Sequence, residues 1–207
     1  MQTNSIRIAV LVSGGGTNLQ ALIDAQESGL LHSGKLALVL SSKPDAFALT
    51  RADRAGIPTA VITPTACGGK EQAEARMLEI LAAHKIQFLV LAGFMHILSP
   101  AFVARFDHRI INVHPSLIPA FCGEGFYGLH VHEAVLARGV QVTGATVHFV
   151  NEIPDGGEIL LQRAVRVCKT DTPQSLQKRV MRQAEWKILP AAAEAVCAKM
   201  LKEGNPS

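Results

Sequence analysis

The sequence predicts an α/β domain built on a doubly wound, mostly parallel sheet, with a C-terminal hairpin and helix. Three observations predict it. Strand-like and helix-like segments alternate through the first half, as successive βαβ units require. A glycine-rich stretch, Ser13-Gly-Gly-Gly-Thr17, falls between the first strand and the first helix. The second half places two strand-like segments in succession around a polar turn and ends in a helical pattern.

Each element has its own justification. Apolar and β-branched residues over Ile6–Val12 make a first strand. Leu19, Leu22 and Ile23 recur at helical spacing, which predicts a helix over 18–28. A second strand covers 36–40, and a helix over 46–55 ends at Gly56. Residues 59–62 form a short strand. Met77, Leu78 and Leu81 share one face of a helix over 70–84. Phe88–Leu91 and 109–113 are the fourth and fifth strands, and 129–137 is a short helix. Strands over 143–150 and 158–167 flank a polar turn at 151–157. Thr172 before Pro173 is an N-cap followed by proline at the first helical position. Leu176, Val180, Ala184 and Ile188 then recur four apart. Pro190 is expected to break this helix, 191–201 to continue at an angle, and 203–207 to fray.

Composition narrows the function. At 207 residues the chain is expected to form one domain with a large core. The net charge of +3, from 20 basic and 17 acidic residues, is too mild to argue for nucleic acid. A single Trp and a single Tyr disfavour a base-stacking platform. No uncharged apolar run approaches the ~18 residues that span a bilayer, so no membrane is expected. The N-terminus lacks the apolar core and cleavage site of a signal peptide, so secretion is not expected. Cys67, Cys122, Cys168 and Cys197 are scattered, form no Cys-x-x-Cys pair, and fit a reducing cytoplasm.

The chemistry concentrates in Arg109-Ile-Ile-Asn-Val-His-Pro-Ser116. Asn112 and His114 leave the end of a buried strand two residues apart, hence on one face, and Pro115 stops the strand. An amide and an imidazole side by side can hold a developing oxyanion. The plain alternative is a strand running into a Pro-Ser turn. Asp155 sits in the 151–157 turn before Gly156 and Gly157, which let the backbone approach something closely. The alternative there is a solvated turn residue. His148 follows Thr146 by two and is placed to orient Asp155, or to be a half-buried structural histidine. His130 and His132 flank Val131, but no carboxylate or cysteine completes a ligand spacing, so no metal is expected.

Backbone N–H groups in the glycine stretch, at a helix start, suit an anion. The stretch lacks the Gly-Lys-Ser/Thr of a P-loop, and Leu19 replaces the third glycine of the dinucleotide fingerprint. Ser41-Ser42-Lys43 ends the second strand where an acid would bind a ribose, so a lone phosphate fits better than NAD. A tight turn without a ligand is the alternative.

NVHPSLIP, then HFV, then PDGG, together with Leu91-Ala-Gly-Phe-Met-His-Ile-Leu-Ser-Pro100, resemble the folate-dependent formyltransferases. LVSGGGTNLQALIDA narrows the resemblance, which runs from about Ile6 to Pro190. It implies a formyltransferase-type Rossmann-like fold. It implies formyl transfer from 10-formyltetrahydrofolate to the amine of glycinamide ribonucleotide, a purine-synthesis step that needs no metal. Asn112 and His114 would stabilise the oxyanion. Asp155 would raise the His114 pKa, keep the imidazole cationic and relay a proton, with Thr146 and His148 in support. Gly16, Thr17 and Asn18 would hold the ribose phosphate, with Arg182 near the phosphate and Glu185 near the ribose hydroxyls. Met95, His96, Ile97 and Leu98 would form an apolar shelf with free backbone groups for the pterin, facing Asn112. Lys70 would meet the acidic tail.

Three departures accompany the resemblance. His96 stands where many members carry arginine. One residue more separates Arg179-Val180 from Glu185 than in many members. The stretch from Ala120 to Tyr127 is longer than usual. About 1–100 is expected to be a phosphate-binding half, and about 101–207 a catalytic and folate-binding half, of one formyltransferase domain. The expected partners are the two small-molecule substrates, with a homodimer left open. Formyltetrahydrofolate hydrolase is the nearest rival; it carries an additional N-terminal domain, for which a first strand at Ile6 is expected to leave no room. Methionyl-tRNA formyltransferase needs a further C-terminal domain and a basic surface. A non-catalytic nucleotide-binding module would bind ligand without turnover.

Overall fold

The computed structural model describes residues 5–204. In chain order the elements are β1 (Ile6–Val12), α1 (Thr17–Glu27), β2 (Gly34–Ser41), α2 (Phe47–Arg54), β3 (Thr59–Val61) and α3 (Pro64–Cys67). Then come α4 (Lys70–Ala83), β4 (Phe88–Leu91), α5 (Pro100–Arg105), β5 (Ile110–His114), α6 (Leu129–Arg138), β6 (Val142–Phe149) and β7 (Ile159–Arg166). The chain ends in α7 (Pro173–Val180), a π-helical turn (Met181–Glu185) and α8 (Trp186–Lys202). Among the described residues no helix is long and apolar enough to cross a membrane.

The seven strands form one sheet in the order β3-β2-β1-β4-β5-β6-β7. The pairings from β3 through to β5 are parallel, and those of β5 with β6 and β6 with β7 are antiparallel. Alternation along β1 divides the core. Ile6, Ile8, Val10 and Val12 face one apolar layer with α1, α2, α7 and α8. Ala9 and Leu11 face the other, with α4 and α5. Strand order reverses between β1 and β4, so the loops after these two strands diverge and leave a crevice at the carboxyl edge.

Besides the π turn, two helices were not expected from the sequence. α3 and α5 each begin as Thr63-Pro64 and Ser99-Pro100, with the hydroxyl accepting the N–H of Ala66 and of Phe102. This is the same cap that starts α7 at Thr172-Pro173. Pro190 does not break the last helix; it lies inside α8. Its ring would oppose the carbonyl of Trp186, but Trp186 has ψ −8°, which turns that carbonyl away from the helical direction. The π turn ends at the residue before Trp186 and supplies the local unwinding. Of the expected frayed tail, residues 205–207 lie outside the described residues.

Candidate active site

A cavity of about 780 Å³ opens at the carboxyl edge. Its walls come from the loop after β1 (Gly14 to Asn18), the loop after β4 (Gly93 to Leu98), the end of β5 (Asn112 to Pro115) and the β6–β7 turn. Residues 123–128 and the side chains of His132, Gln177, Met181 and Glu185 close it.

One end holds Asn112, His114, His148 and Asp155. Antiparallel pairing sets Asn112 opposite His148 and His114 opposite Thr146. Asp155 reaches back from the turn with φ 56°, a left-handed conformation in which aspartate is tolerated. Gly157 has no alternative: a Cβ there would lie 1.8 Å from the carbonyl oxygen of Phe149. The close approach expected of the glycines is therefore to the preceding strand. Asp155 Oδ1 lies 3.4 Å from His148 Nε2 and accepts from Asn112 Nδ2 at 3.5 Å. Its Oδ2 lies 3.3 Å from His114 Nδ1 and accepts from the Gly123 N–H at 2.9 Å. Burial pushes the Asp155 carboxyl up, but His148, the Gly123 N–H and His114 outweigh it and leave its pKa below the ordinary value.

His114 corrects one expectation. Burial is the largest influence on it and lowers its pKa, against the opposite pull of Asp155 and the Phe121 carbonyl. The imidazole is thus not a standing cation at neutral pH. Its Nε2 donates to Phe121 O at 2.8 Å while Nδ1 faces the Asp155 carboxylate. A neutral ring has one hydrogen for these two acceptors, so a proton arriving at Nδ1 completes both contacts. His148 Nδ1 lies 2.7 Å from Phe149 O, an acceptor only, which puts a hydrogen on that nitrogen and leaves Nε2 to face Asn112 and Asp155. Thr146 is fully buried and stays out of the cavity; it accepts the Ile118 N–H and donates to Ser116 O, holding the turn after β5.

The other end is the glycine loop. Gly16, in the left-handed conformation at φ 69°, is the residue before α1. The carbonyls of Gly14, Gly15 and Gly16 accept from Ala48 N–H, Arg51 Nε and Gln20 N–H. The first N–H groups of α1 have no partner within the helix. A Cβ on Gly16 would meet Ala48 Cβ at 2.6 Å, whereas Gly14 and Gly15 face open space. Asn18 Nδ2 donates to the buried Glu185 Oε2 at 2.7 Å, and its Oδ1 has no partner. Burial pushes Glu185 up to about 7, against the Asn18 hydrogen bond. Glu185 ends the π turn, which accommodates one additional residue within a helix and so absorbs the longer spacing from Arg179-Val180. Arg182 is exposed and outside the cavity lining.

The shelf is Met95 to Leu98. Met95 and Ile97 are exposed at the cavity wall, while Leu98 is buried. The Met95 N–H is not free as expected: it donates to Ser13 Oγ at 2.9 Å, and Ser13 Oγ lies 2.7 Å from Ser42 Oγ. Ser99 at the far end donates its N–H and hydroxyl to the buried Glu74. His96 lines the cavity, 5.5 Å from the Phe94 ring by centroids. Lys70 does not line it; its ammonium is half-exposed, 4.0 Å from Glu74.

Gln177, Met181 and residues 123–128 line the site without being singled out for it by the sequence, and His132, weighed there only as a metal ligand, lines it too. No local pattern marks Gln177 or assigns His132 to a substrate, because which face of α6 or α7 meets the cavity depends on how the helices pack. Among the described residues no group of three or more His, Cys, Asp or Glu is arranged to hold a metal ion.

Comparison with known proteins places this arrangement among relatives. Residues 6–193 match the family described as formyl transferase. The chain is 41% identical over 205 residues to the trifunctional purine biosynthetic protein adenosine-3 of Gallus gallus, covering 99% of this chain and 20% of that protein. It therefore spans about one fifth of the length of that relative. It is 40% identical over 184 residues to the phosphoribosylglycinamide formyltransferase of Haemophilus influenzae, covering 89% and 84%. The crystal structure of glycinamide ribonucleotide transformylase 1 from Symbiobacterium toebii superposes with a TM-score of 0.88 at 39% identity, covering 96% and 90%.

Proposed function

The chain belongs to the formyl transferase family, and from that premise we propose that it transfers a formyl group from 10-formyltetrahydrofolate to the amine of glycinamide ribonucleotide, in purine biosynthesis. The names of relatives that match most of its length support this reading. The observation that carries it is one cavity with the Asn112, His114 and Asp155 cluster at one end and a glycine-rich helix start at the other.

The amine nitrogen attacks the formyl carbon, and the carbonyl oxygen gains negative charge. Asn112 Nδ2 donates to that oxygen. His114 donates its Nε2 hydrogen once the oxyanion displaces the Phe121 carbonyl. The amine proton passes to His114 Nδ1, where Asp155 stabilises the cation as it forms, and on to the folate nitrogen as the C–N bond breaks. His148 and Asn112 keep Asp155 in place, and Thr146 supports the turn. Gly16, Thr17 and Asn18 present the helix start to the phosphate, and Glu185 with Asn18 takes the ribose hydroxyls. The Met95, His96, Ile97 and Leu98 shelf takes the pterin beside Asn112. Arg182 and Lys70 act only as outlying charges, for the phosphate and for the folate tail. No metal is required.

The 1–100 segment carries the phosphate loop and 101–207 the catalytic cluster, within one functional domain. The halves interlock, since Asn18 of the first holds Glu185 of the second. We propose a reducing, cytoplasmic setting, supported by four dispersed cysteines. The test is formyl transfer to glycinamide ribonucleotide, with water and unrelated amines as alternative acceptors. Nucleotide-dependent transfer is expected. Release of formate without transfer would make the chain a hydrolase, and binding without turnover a non-catalytic module.

A further inference from the structure

His132 is an anomaly in this cavity. It lies in the first turns of α6, 0% exposed, and lines the cavity. Neither ring nitrogen has a hydrogen-bond partner. Buried polar groups are normally paired, so two unpaired atoms on one ring mark a place where something else completes the bonding. Asn18 Oδ1 is the other cavity-wall atom in this condition among the described residues.

Its position narrows what that something is. His132 is close enough to His114 for their charges to interact. α6 packs against α7, and α7 with the π turn supplies Gln177, Met181 and Glu185 to the same wall. Glu185 is bonded to Asn18 beside the glycine loop. His132 therefore stands on the stretch of wall between the reacting end and the phosphate end. Burial, and then His114, push its pKa down to about 4, so it is a neutral imidazole at physiological pH. Such a ring offers one donor and one acceptor and no charge. The two nitrogens diverge, so one neutral group bonds one of them: an uncharged amide can meet this uncharged ring either through its carbonyl or through its N–H.

Resting on the proposed substrate, we propose that His132 is a substrate-recognition residue that hydrogen-bonds the glycinamide amide of the nucleotide, between its phosphate and its reacting amine. An amide supplies both a carbonyl and an N–H, and a site built for such a group discriminates strongly against analogues that lack it.

The test compares wild type, His132→Phe and His132→Gln. Phe keeps a ring and removes both polar atoms; Gln restores a donor and an acceptor. His132→Phe is expected to raise KM for glycinamide ribonucleotide about tenfold, the effect of one lost hydrogen bond of ~1.4 kcal/mol. KM for 10-formyltetrahydrofolate should not move, and His132→Gln should recover part of the loss. Ribose 5-phosphate, which lacks the amide, should inhibit wild type and His132→Phe with equal Ki. A parallel rise in that Ki would overturn the inference, because a misshapen pocket would then explain the KM. So would a risen folate KM, or an unchanged nucleotide KM in an active, folded variant. Should His132→Phe fail to fold, NMR of the wild-type imidazole decides. Its ring nitrogens should shift with the nucleotide and not with ribose 5-phosphate, and equal shifts would refute the contact. Wild type that fails to formylate the nucleotide at all refutes the substrate reading instead.

Discussion

The two ends of the cavity are built by different means. At the catalytic end, side chains hold side chains: Asn112, His114, His148 and Asp155 contact one another across three segments of chain. At the nucleotide end, the phosphate site is backbone, since the glycine loop offers N–H groups at a helix start and locks the Gly14 and Gly15 carbonyls onto α2. The catalytic end lies on the antiparallel margin of the sheet, and the nucleotide end on its parallel centre. The difference teaches where substitutions act. Replacing one side chain should damage the chemistry at the first end. At the second, a change that blocks or bends the glycine backbone should damage phosphate binding in particular.

The largest effect is expected at the side-chain end. Asn112→Ala removes one oxyanion donor and should lower kcat by roughly 10²–10³ with a small change in either KM. A loss confined to KM would show that Asn112 only binds. Asp155→Asn keeps the shape and removes the charge. It should slow turnover and lower the His114 pKa further, because Asp155 is the main influence raising it. The acid limb of the rate profile should then move to lower pH, with NMR of His114 moving in step. An unmoved His114 pKa with an unchanged rate would reduce Asp155 to a turn residue.

At the backbone end the choice of glycine matters. Gly16→Val is a poor test of the ligand, because its Cβ strikes Ala48 and its φ of 69° disfavours a β-branched side chain. That variant should lose stability before it says anything about ligands. Gly15 faces open space and lines the cavity. Gly15→Val should keep its Tm and raise the nucleotide KM about tenfold or more, the loss of one charge-assisted hydrogen bond of ~1.5 kcal/mol. The folate KM should stay put. Equal affinity for the nucleotide would move the phosphate elsewhere.

Legibility in the sequence follows the same division. Asn112 and His114 could be paired from sequence because strand periodicity puts alternate residues on one face. Their meeting with Asp155, 41 and more residues on, rests on β5–β6 pairing and could be anticipated only through resemblance. Parallel strands and long helices were legible from apolar periodicity. α3 and α5 begin with Thr63-Pro64 and Ser99-Pro100, the signature also present at Thr172-Pro173, but their few turns give no periodicity to support it. The π turn shows in the sequence only as the additional residue between Arg179-Val180 and Glu185, since the apolar spacing around it stays intact, and the tolerance of Pro190 is hidden with it. The His114 charge state is not legible in the sequence, because the carboxylate is visible in a motif and burial is not.

A titration sharpens the contrast at the junction of the two ends. Burial raises the Glu185 carboxyl from its ordinary 4.5 to about 7. Between those values the folded protein holds a proton that the unfolded chain releases, so this group makes stability fall as pH rises from about 4.5 to 7. Glu185→Gln cannot ionise and keeps an acceptor for Asn18. It should flatten this part of the Tm profile and raise Tm at pH 8 relative to wild type. An identical slope in both proteins would mean that Glu185 is already ionised in the fold.

The smallest effect is expected from Lys70. Its ammonium is half-exposed, engaged with Glu74 at 4.0 Å and outside the cavity lining. A contact with the folate tail would be solvent-screened and worth ~1 kcal/mol or less, under about fivefold in affinity. Lys70→Ala should therefore weaken binding of a folate carrying its glutamate tail by less than that, and leave a tail-less pterin unaffected. His96 lines the cavity and is the better-placed position for a charge. His96→Arg should strengthen binding of the tailed folate alone, and less so as salt is raised. A larger loss from Lys70→Ala, shared by the tail-less pterin, would point to Glu74 instead. Freed of its partner, that carboxylate would hold Ser99 differently and disturb the shelf, and the effect would belong to backbone after all.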